Sequence, residues 1–386
     1  MNGHPRSSVI PADGSIPDLD KEIKMKGVLI LEDGTCFEGN SIGVPGERTG
    51  ELVFHTSVVG YQEIMTDPAN SGKILILTYP LIGNYGTADK FFESRKAWVN
   101  GLLIREESRI MSNFQAEAPF QYFLKQQGLV CFSEMDTRSL TVKIREYGPL
   151  TGILSTKSNN KTVLLKKLRA ALKSVGNDRI RNTSVKQITK IDTPGSVRKI
   201  AILDLGCSQN FIHQLKLLKN SIILLPYKTP AEKILSLKPD GLLLSNGPEN
   251  DMAFPEISIT VNRLLGRIPV LGIQTGHEII GLALGGKLRR MKTGHHGGNY
   301  PVLSTGSFKG EITVQNHDFV VDENSLKKIK DVRITLRNLN DNTIEEMESR
   351  PLKFISTQYY PTGPESCEVN PVFKRFISLI GQKRGK

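Results

Sequence analysis

Residues 268–286 read IPVLGIQTGHEIIGLALGG. A short apolar run, Ile268 to Ile273, stops at Gln274, and a helix-compatible stretch follows whose apolar face is expected to pack as core. Gly272 and Gly276 flank the apex as G-x-Gln-x-G. Small residues at these two positions let a strand turn sharply into a helix, with the apex side chain projecting into a crevice. Many enzymes place a nucleophile at such an apex. Glutamine cannot serve as one, because its amide has no ionisable proton near physiological pH. Any buried strand-to-helix turn also tolerates these glycines, so a functional elbow and a plain turn both remain open on this stretch alone.

Working outward, KIAILDLG (199–206), SIILLPYK (221–228) and DGLLLSNGP (240–248) are further short, nearly continuous apolar runs. Strands buried on both faces have this appearance, which predicts a mainly parallel sheet flanked by helices, an α/β architecture. Ligands bind such sheets at the carboxyl ends of the strands, so a site is expected in the loops after Gly206, Gly247 and Ile273. The first half differs. VLILEDG (28–34) ends in the turn signal Asp33-Gly34, CFEGNSIG (36–43) suits a hairpin partner, and ELVFHTS (51–57) and KILILTYP (73–80) are strand-like. A mixed α/β domain rich in β structure follows from this.

Between the halves, residues 161–199 carry eleven Lys and Arg against two Asp. Val163, Leu164, Leu168, Ala171 and Leu172 fall near one helical face, and the polar remainder ends at Pro194-Gly195, as a domain connection would. The chain is therefore divided into a disordered extension (1–24), a first domain (25–158), a basic helix and linker (159–197) and a second domain (198–386).

Composition narrows the function classes. At 386 residues the chain can bury two cores of ordinary size, and 38% hydrophobic with 23% charged residues is a globular balance. A net charge of +12 would suit nucleic acid, but aromatics make up only 6% and no zinc-finger, homeodomain or RNA-recognition signature is present. No nucleic-acid partner is expected, since an acidic protein partner or phosphate-bearing metabolites account for the charge as well. Cys36, Cys131, Cys207 and Cys367 are scattered and form no CxxC pair, arguing against a disulfide framework or zinc site and for a cytoplasmic setting. No apolar run approaches the roughly 18 residues of a membrane span, and residues 1–24 lack the apolar region of a signal peptide.

The order and spacing of LLLSNGP (242–248), PVLGIQTGHEIIGLALGG (269–286), GHHGGNYPV (294–302) and TVQNHDFVV (313–321) resemble the class I glutamine amidotransferase domain of the carbamoyl-phosphate synthetase small-subunit family. LEDGTCFEG (31–39), GELVFHTSVVGYQEIMTDPANSG (50–72) and MDTRSLTVKIREYGPLTGIL (135–154) resemble the domain that distinguishes this subunit from other amidotransferases. The resemblance spans residues 26–381. It implies a cysteine thiolate at the elbow attacking the glutamine side-chain amide, a histidine oriented by a glutamate to move the proton, and backbone N–H groups holding the oxyanion. It also implies that ammonia passes to a large subunit, to which ATP and metal belong; no cofactor is expected in this chain.

The residues at the corresponding positions do not match that chemistry. Gln274 stands at the nucleophile, and in QYYPTGP (358–364) Tyr360 stands at the histidine and Thr362 at the glutamate. A tyrosine, with a reference pKa of about 10, is a poor base at pH 7. Cys207 and Cys367 lie away from the elbow. The glutamine-contacting positions implied by the resemblance are Ser57, Gly247, Glu249, Thr275, Glu278, Asn316, Asp318 and Phe319. Ser57, Gly247, Asn316 and Phe319 keep the family's residue type; Glu249 and Asp318 replace glycines, which allow close backbone approach, and Glu278 replaces a glutamine. Weakened or lost glutamine binding is expected. His277, His295, His296 and His317 fall at positions that are not metal ligands in the resemblance, so no metal site is expected, and Asp136 with Arg138 reads as a structural turn.

The leading expectation is a small-subunit homologue with its glutaminase lost, supporting carbamoyl phosphate synthesis for the pyrimidine and arginine pathways as the structural or regulatory partner of an ammonia-using large subunit. The alternatives are a still-active glutaminase subunit and a repurposed non-catalytic binding module.

Overall fold

The computed structural model describes residues 25–174, 178–361 and 368–381, so the extension 1–24, Thr362 and Cys367 lie outside the described residues. The chain divides into two units, 1–176 and 177–386.

In the first unit, the strand-like stretches of the sequence become β1 (Met25–Leu31), β2 (Cys36–Ser41), β3 (Glu47–His55) and β4 (Lys73–Leu77), and β5 (Leu81–Ile82), β6 (Gly101–Leu103), β7 (Glu106–Glu107), β8 (Val130–Ser133) and β9 (Leu150–Ser155) follow. Seven of them close a barrel in the order β1-β2-β8-β6-β4-β3-β9, and β5 pairs with β7 separately. The β1–β2 hairpin forms where Asp33 and Gly34 predict it: the Asp33 carboxylate accepts the Thr35 N–H at 2.8 Å and Gly34 takes φ 84°. Leu29, Leu31, Leu52, Phe54, Ile74, Ile76 and Phe132 fill the interior.

The alternate residues Val28 and Ile30, together with Ile153, face outward and are covered by Leu164 and Leu168 of the basic helix Lys161–Ser174. Val163 and Leu172, expected on that apolar face, are instead exposed. At about 100° per residue the packed stripe runs through 164 and 168, and its neighbours fall on the flanks. The rest of the basic segment belongs to the second unit. Ile180 enters that unit's core, and Thr189–Ile191 forms its edge strand, β10.

The second unit continues with β11 (Arg198–Asp204), β12 (Asn220–Pro226), β13 (Gly241–Leu244), β14 (Val270–Ile273), β15 (Leu288–Ser304), β16 (Gly310–Val321), β17 (Arg333–Asn338), β18 (Ile344–Ser349) and β19 (Phe354–Thr357). The ten strands form one sheet, β10-β12-β11-β13-β14-β19-β18-β17-β15-β16. Its centre, β12 through β19, is parallel, and antiparallel strands extend it on both sides. Helices cover both faces, as double-sided burial requires. Leu242 and Leu244 pack toward the helices Phe254–Asn262 and Thr275–Ala283, while Leu243 packs toward Gln209–Leu217 and Pro371–Gly381.

The β15–β16 ribbon is irregular, with register breaks between Arg290 and His295 and between Gly297 and Tyr300. Such breaks bend a strand. The ribbon curls back to the carboxyl ends of the central strands, where the Tyr360 N–H donates to the Val314 carbonyl at 2.8 Å. Among the described residues no helix is long and apolar enough to cross a membrane.

Candidate functional site

The turn after β14 is strained. Gln274 adopts φ 50°, ψ −109°, a conformation costly for any residue with a Cβ, of order 1–3 kcal/mol. Three contacts hold it there. Its N–H donates to the Thr357 carbonyl at 2.7 Å, and its carbonyl accepts the N–H groups of His277 and Glu278 at 2.8 and 3.1 Å, starting the helix Thr275–Ala283. The flanking glycines make the turn possible: a Cβ on Gly272 would stand 2.6 Å from the Gly276 carbonyl oxygen, and one on Gly276 would collide with that of Leu244.

The side chain at the apex is buried, 2% exposed. Its Nε2 makes only a long 3.4 Å bond to the Asn316 carbonyl, and its Oε1 has no hydrogen-bond partner. The Thr275 hydroxyl donates to the Gly247 carbonyl at 2.6 Å, tying the elbow to the loop after β13.

That loop reaches β16 through Glu249. Its carboxylate accepts the backbone N–H of Asp318 at 2.9 and 3.0 Å and that of Phe319 at 3.2 Å. The Asp318 carboxylate lies 3.0 Å from His296 Nε2, and His296 Nδ1 lies 2.9 Å from Asn316 Oδ1. From sequence, Glu249 and Asp318 are two replaced glycines; the structure joins Glu249, Asp318, His296 and Asn316 into one buried chain of bonds. The available signal was that both departures from glycine occur together. Glu278, fully buried, accepts from Gln358 Nε2 at 3.3 Å.

Tyr360 follows β19. Its hydroxyl donates to Ser208 Oγ at 2.6 Å, and its ring packs on Phe211 with centroids 4.9 Å apart. Cys207 is buried after β11, separated from β14 by β13 in the sheet, with its thiol donating to the Ser208 carbonyl. Ser57 belongs to the first unit, half-buried after β3, where its N–H donates to His55 Nδ1 at 3.3 Å. Asp136 caps the helix Thr137–Tyr147 by accepting the Ser139 N–H, and that bond holds its carboxyl below the usual range.

The histidines have distinct surroundings. His277, on the elbow helix, shares a 3.0 Å bond between Nδ1 and Ser356 Oγ, while its Nε2 is buried without a partner. Burial pulls its pKa down to about 3. Donor atoms of His295, His317 and Glu345, all buried, lie within 4.8 Å of one another, a spacing that could hold a metal ion. The amide Nδ2 of Asn338 stands among these groups, 3.0 Å from Glu345 Oε1 and 3.4 Å from both His295 Nδ1 and Gln315 Oε1. Two members of the cluster, His295 and Glu345, thus share the Asn338 amide, and the third, His317, pairs through Nε2 with Gln315 Oε1 at 3.2 Å. Burial pushes the Glu345 carboxyl up to about 7, and burial with the neighbouring His295 and His296 keeps His317 well below the usual histidine range.

Comparison with known proteins gives a consistent result across both units. Residues 29–154 match the family model described as carbamoyl-phosphate synthase small chain, CPSase domain, and residues 201–378 match glutamine amidotransferase class-I. A carbamoyl phosphate synthase small chain from Clostridium acetobutylicum is 39% identical over 356 residues, covering 92% of this chain and 100% of the relative. Proteins of the same description from Chlorobaculum tepidum and Bacillus caldolyticus are 36% and 37% identical, covering 92% and 94% of this chain and 98% and 99% of theirs.

Proposed function

Since the chain belongs to the carbamoyl phosphate synthase small-chain family, we propose that it acts as the small-chain partner of a large chain that makes carbamoyl phosphate, with its own glutamine hydrolysis lost. One observation carries the second part: the strained turn presents the amide of Gln274 where the resemblance implies a thiolate. Amidotransfer needs a nucleophile to form an acyl intermediate and a base to move its proton. The Gln274 amide has neither the free electron pair nor the acidity for the first task.

The neighbouring groups do not supply the second. Tyr360 is bonded to Ser208 and packed on Phe211. His277 lies on the elbow helix, and burial pulls its pKa down to about 3, which leaves it a weak base. Without a thiol to activate, neither group has a proton to move. Nitrogen therefore reaches the large chain as free ammonia, and the small chain contributes structure or regulation to a cytoplasmic complex serving pyrimidine and arginine synthesis. The charged residues at Glu249 and Asp318 support weak or absent glutamine binding.

Co-purification with the large chain, followed by assays of carbamoyl phosphate formation, tests this. Ammonium is expected to support synthesis and glutamine to give only the background from contaminating ammonium. Robust glutamine-dependent synthesis, abolished by thiol alkylation, would overturn the reading.

A further inference from the structure

Successive N–H groups in a regular strand point to opposite sides. At Asp318 and Phe319 they converge instead on one carboxylate, because this pair lies at the register break where β15 advances from His295 to Arg290 while β16 advances only from His317 to Phe319. Two consecutive amides turned inward make a concavity suited to an anion. Both sit on buried or half-buried backbone, so leaving them without an acceptor would be costly. Glu249 is that acceptor, 7% exposed and bonded through both oxygens to Asp318.

The loop that delivers Glu249 is fastened on both sides. Upstream, the Gly247 carbonyl accepts the Thr275 hydroxyl at 2.6 Å. Downstream, the Asp251 carboxylate accepts the N–H groups of Arg179, Ile180 and Ala253 at 2.6, 3.0 and 2.9 Å. A carboxylate held in this way meets the amides without the loss of translational freedom that a free ligand bears.

We propose that Glu249 is an internal ligand: its carboxylate occupies a carboxylate-binding nest formed by the amides of Asp318 and Phe319 and closes it to free amino acids and other small carboxylates. The nest rests on geometry alone; the choice of glutamine as the excluded ligand rests on the small-chain reading. A mobile carboxylate competes with a tethered one whose effective concentration is set by the loop, and an advantage of about a hundredfold is the expected scale.

The test uses the full chain with Glu249→Ala, following the amide resonances of Asp318 and Phe319 while acetate or L-glutamine is added against chloride at constant ionic strength. In the variant, a carboxylate should shift both amides saturably and raise the melting temperature, at concentrations about a hundredfold below any response of the wild type. A wild-type response at the same concentrations, or a variant blind to both carboxylates, would overturn the proposal. Should Glu249→Ala not fold, Glu249→Gln offers one acceptor oxygen in the same volume. Faster hydrogen exchange at one or both amides is then expected, and unchanged exchange overturns the proposal. Ammonia released from glutamine by the wild type would defeat the proposed loss of glutaminase. A carboxylate-blind Glu249→Ala, with the wild type still inactive, would defeat only the internal ligand.

Discussion

The turn at Gln274 and the β16 segment Asn316–Phe319 face the same space and are built on opposite terms. At the turn, the backbone is under strain, glycines crowd it, and the side chain it displays leaves its Oε1 without a partner. Along β16 the inward backbone amides of Asp318 and Phe319 are satisfied by Glu249, and the side chains of Asn316 and Asp318 close on His296. One region is a strained shape with an underbonded amide at its apex; the other is a set of backbone donors already supplied with a carboxylate. The shape persists because main-chain packing of the sheet requires it, whichever side chain stands at the apex.

The severest way to break this contrast is to attack the shape. Gly276→Ala drives a Cβ into the Leu244 carbonyl and should cost about 3 kcal/mol or more, the upper end of overpacking, read as lost soluble yield or an early unfolding transition. A small effect would mean the turn is adaptable and its strain uninformative.

Next in size is a pH effect in the strand layer behind the ribbon. Burial raises the Glu345 carboxyl to about 7, so the native state holds its proton more tightly than the unfolded chain does. The associated stability is complete below the unfolded value of about 4.5 and is lost as pH rises through about 7. Glu345→Gln keeps the neutral shape at every pH, so its advantage in denaturant melts should grow from under about 1 kcal/mol at pH 5 to about 2–3 kcal/mol at pH 8. An advantage independent of pH would show that the carboxylate is not the cause.

Smaller still, Gln274→Gly relieves the positive φ and should stabilise the protein by about 1 kcal/mol in the same melts. A loss would show that the amide contributes more through packing than its conformation costs. The sharpest prediction is a null. Gln274→Cys supplies a thiol while Tyr360, at the position the resemblance gives to a histidine, stays bonded to Ser208; a general base is worth roughly 10²–10⁴-fold, so on the proposed reading ammonia release from glutamine should stay at background. Measurable hydrolysis would mean that the site lacks only its nucleophile.

Much of the fold was legible because double-sided burial writes itself as apolar runs: the stretches around β11 to β14 announced themselves, as did the Asp33-Gly34 hairpin. The β15–β16 ribbon was less so. Its glycines, histidines and bulges in LRRMKTGHHGGNYPVLS carry no alternating pattern, since that irregularity is what lets it curl. The polar end of the basic segment read as linker because an edge strand such as β10 needs few apolar residues. At the site, residue types could be read against a family pattern, which sets Gln274 where that pattern implies a thiolate. The bonds of Glu249 were not, because they depend on where a bulge points two backbone amides.

The curled ribbon also has a temporal consequence. β13 and β16 are separated by five strands in the sheet, yet the loop after β13 is fastened to β16 through Glu249. The two are joined like the ends of a belt by its buckle. Solvent reaches the Asp318 and Phe319 amides only when the buckle opens, an event in which several buried bonds break together. The Asp318 and Phe319 amides are the natural clocks for it, because their exchange with solvent deuterium records each opening.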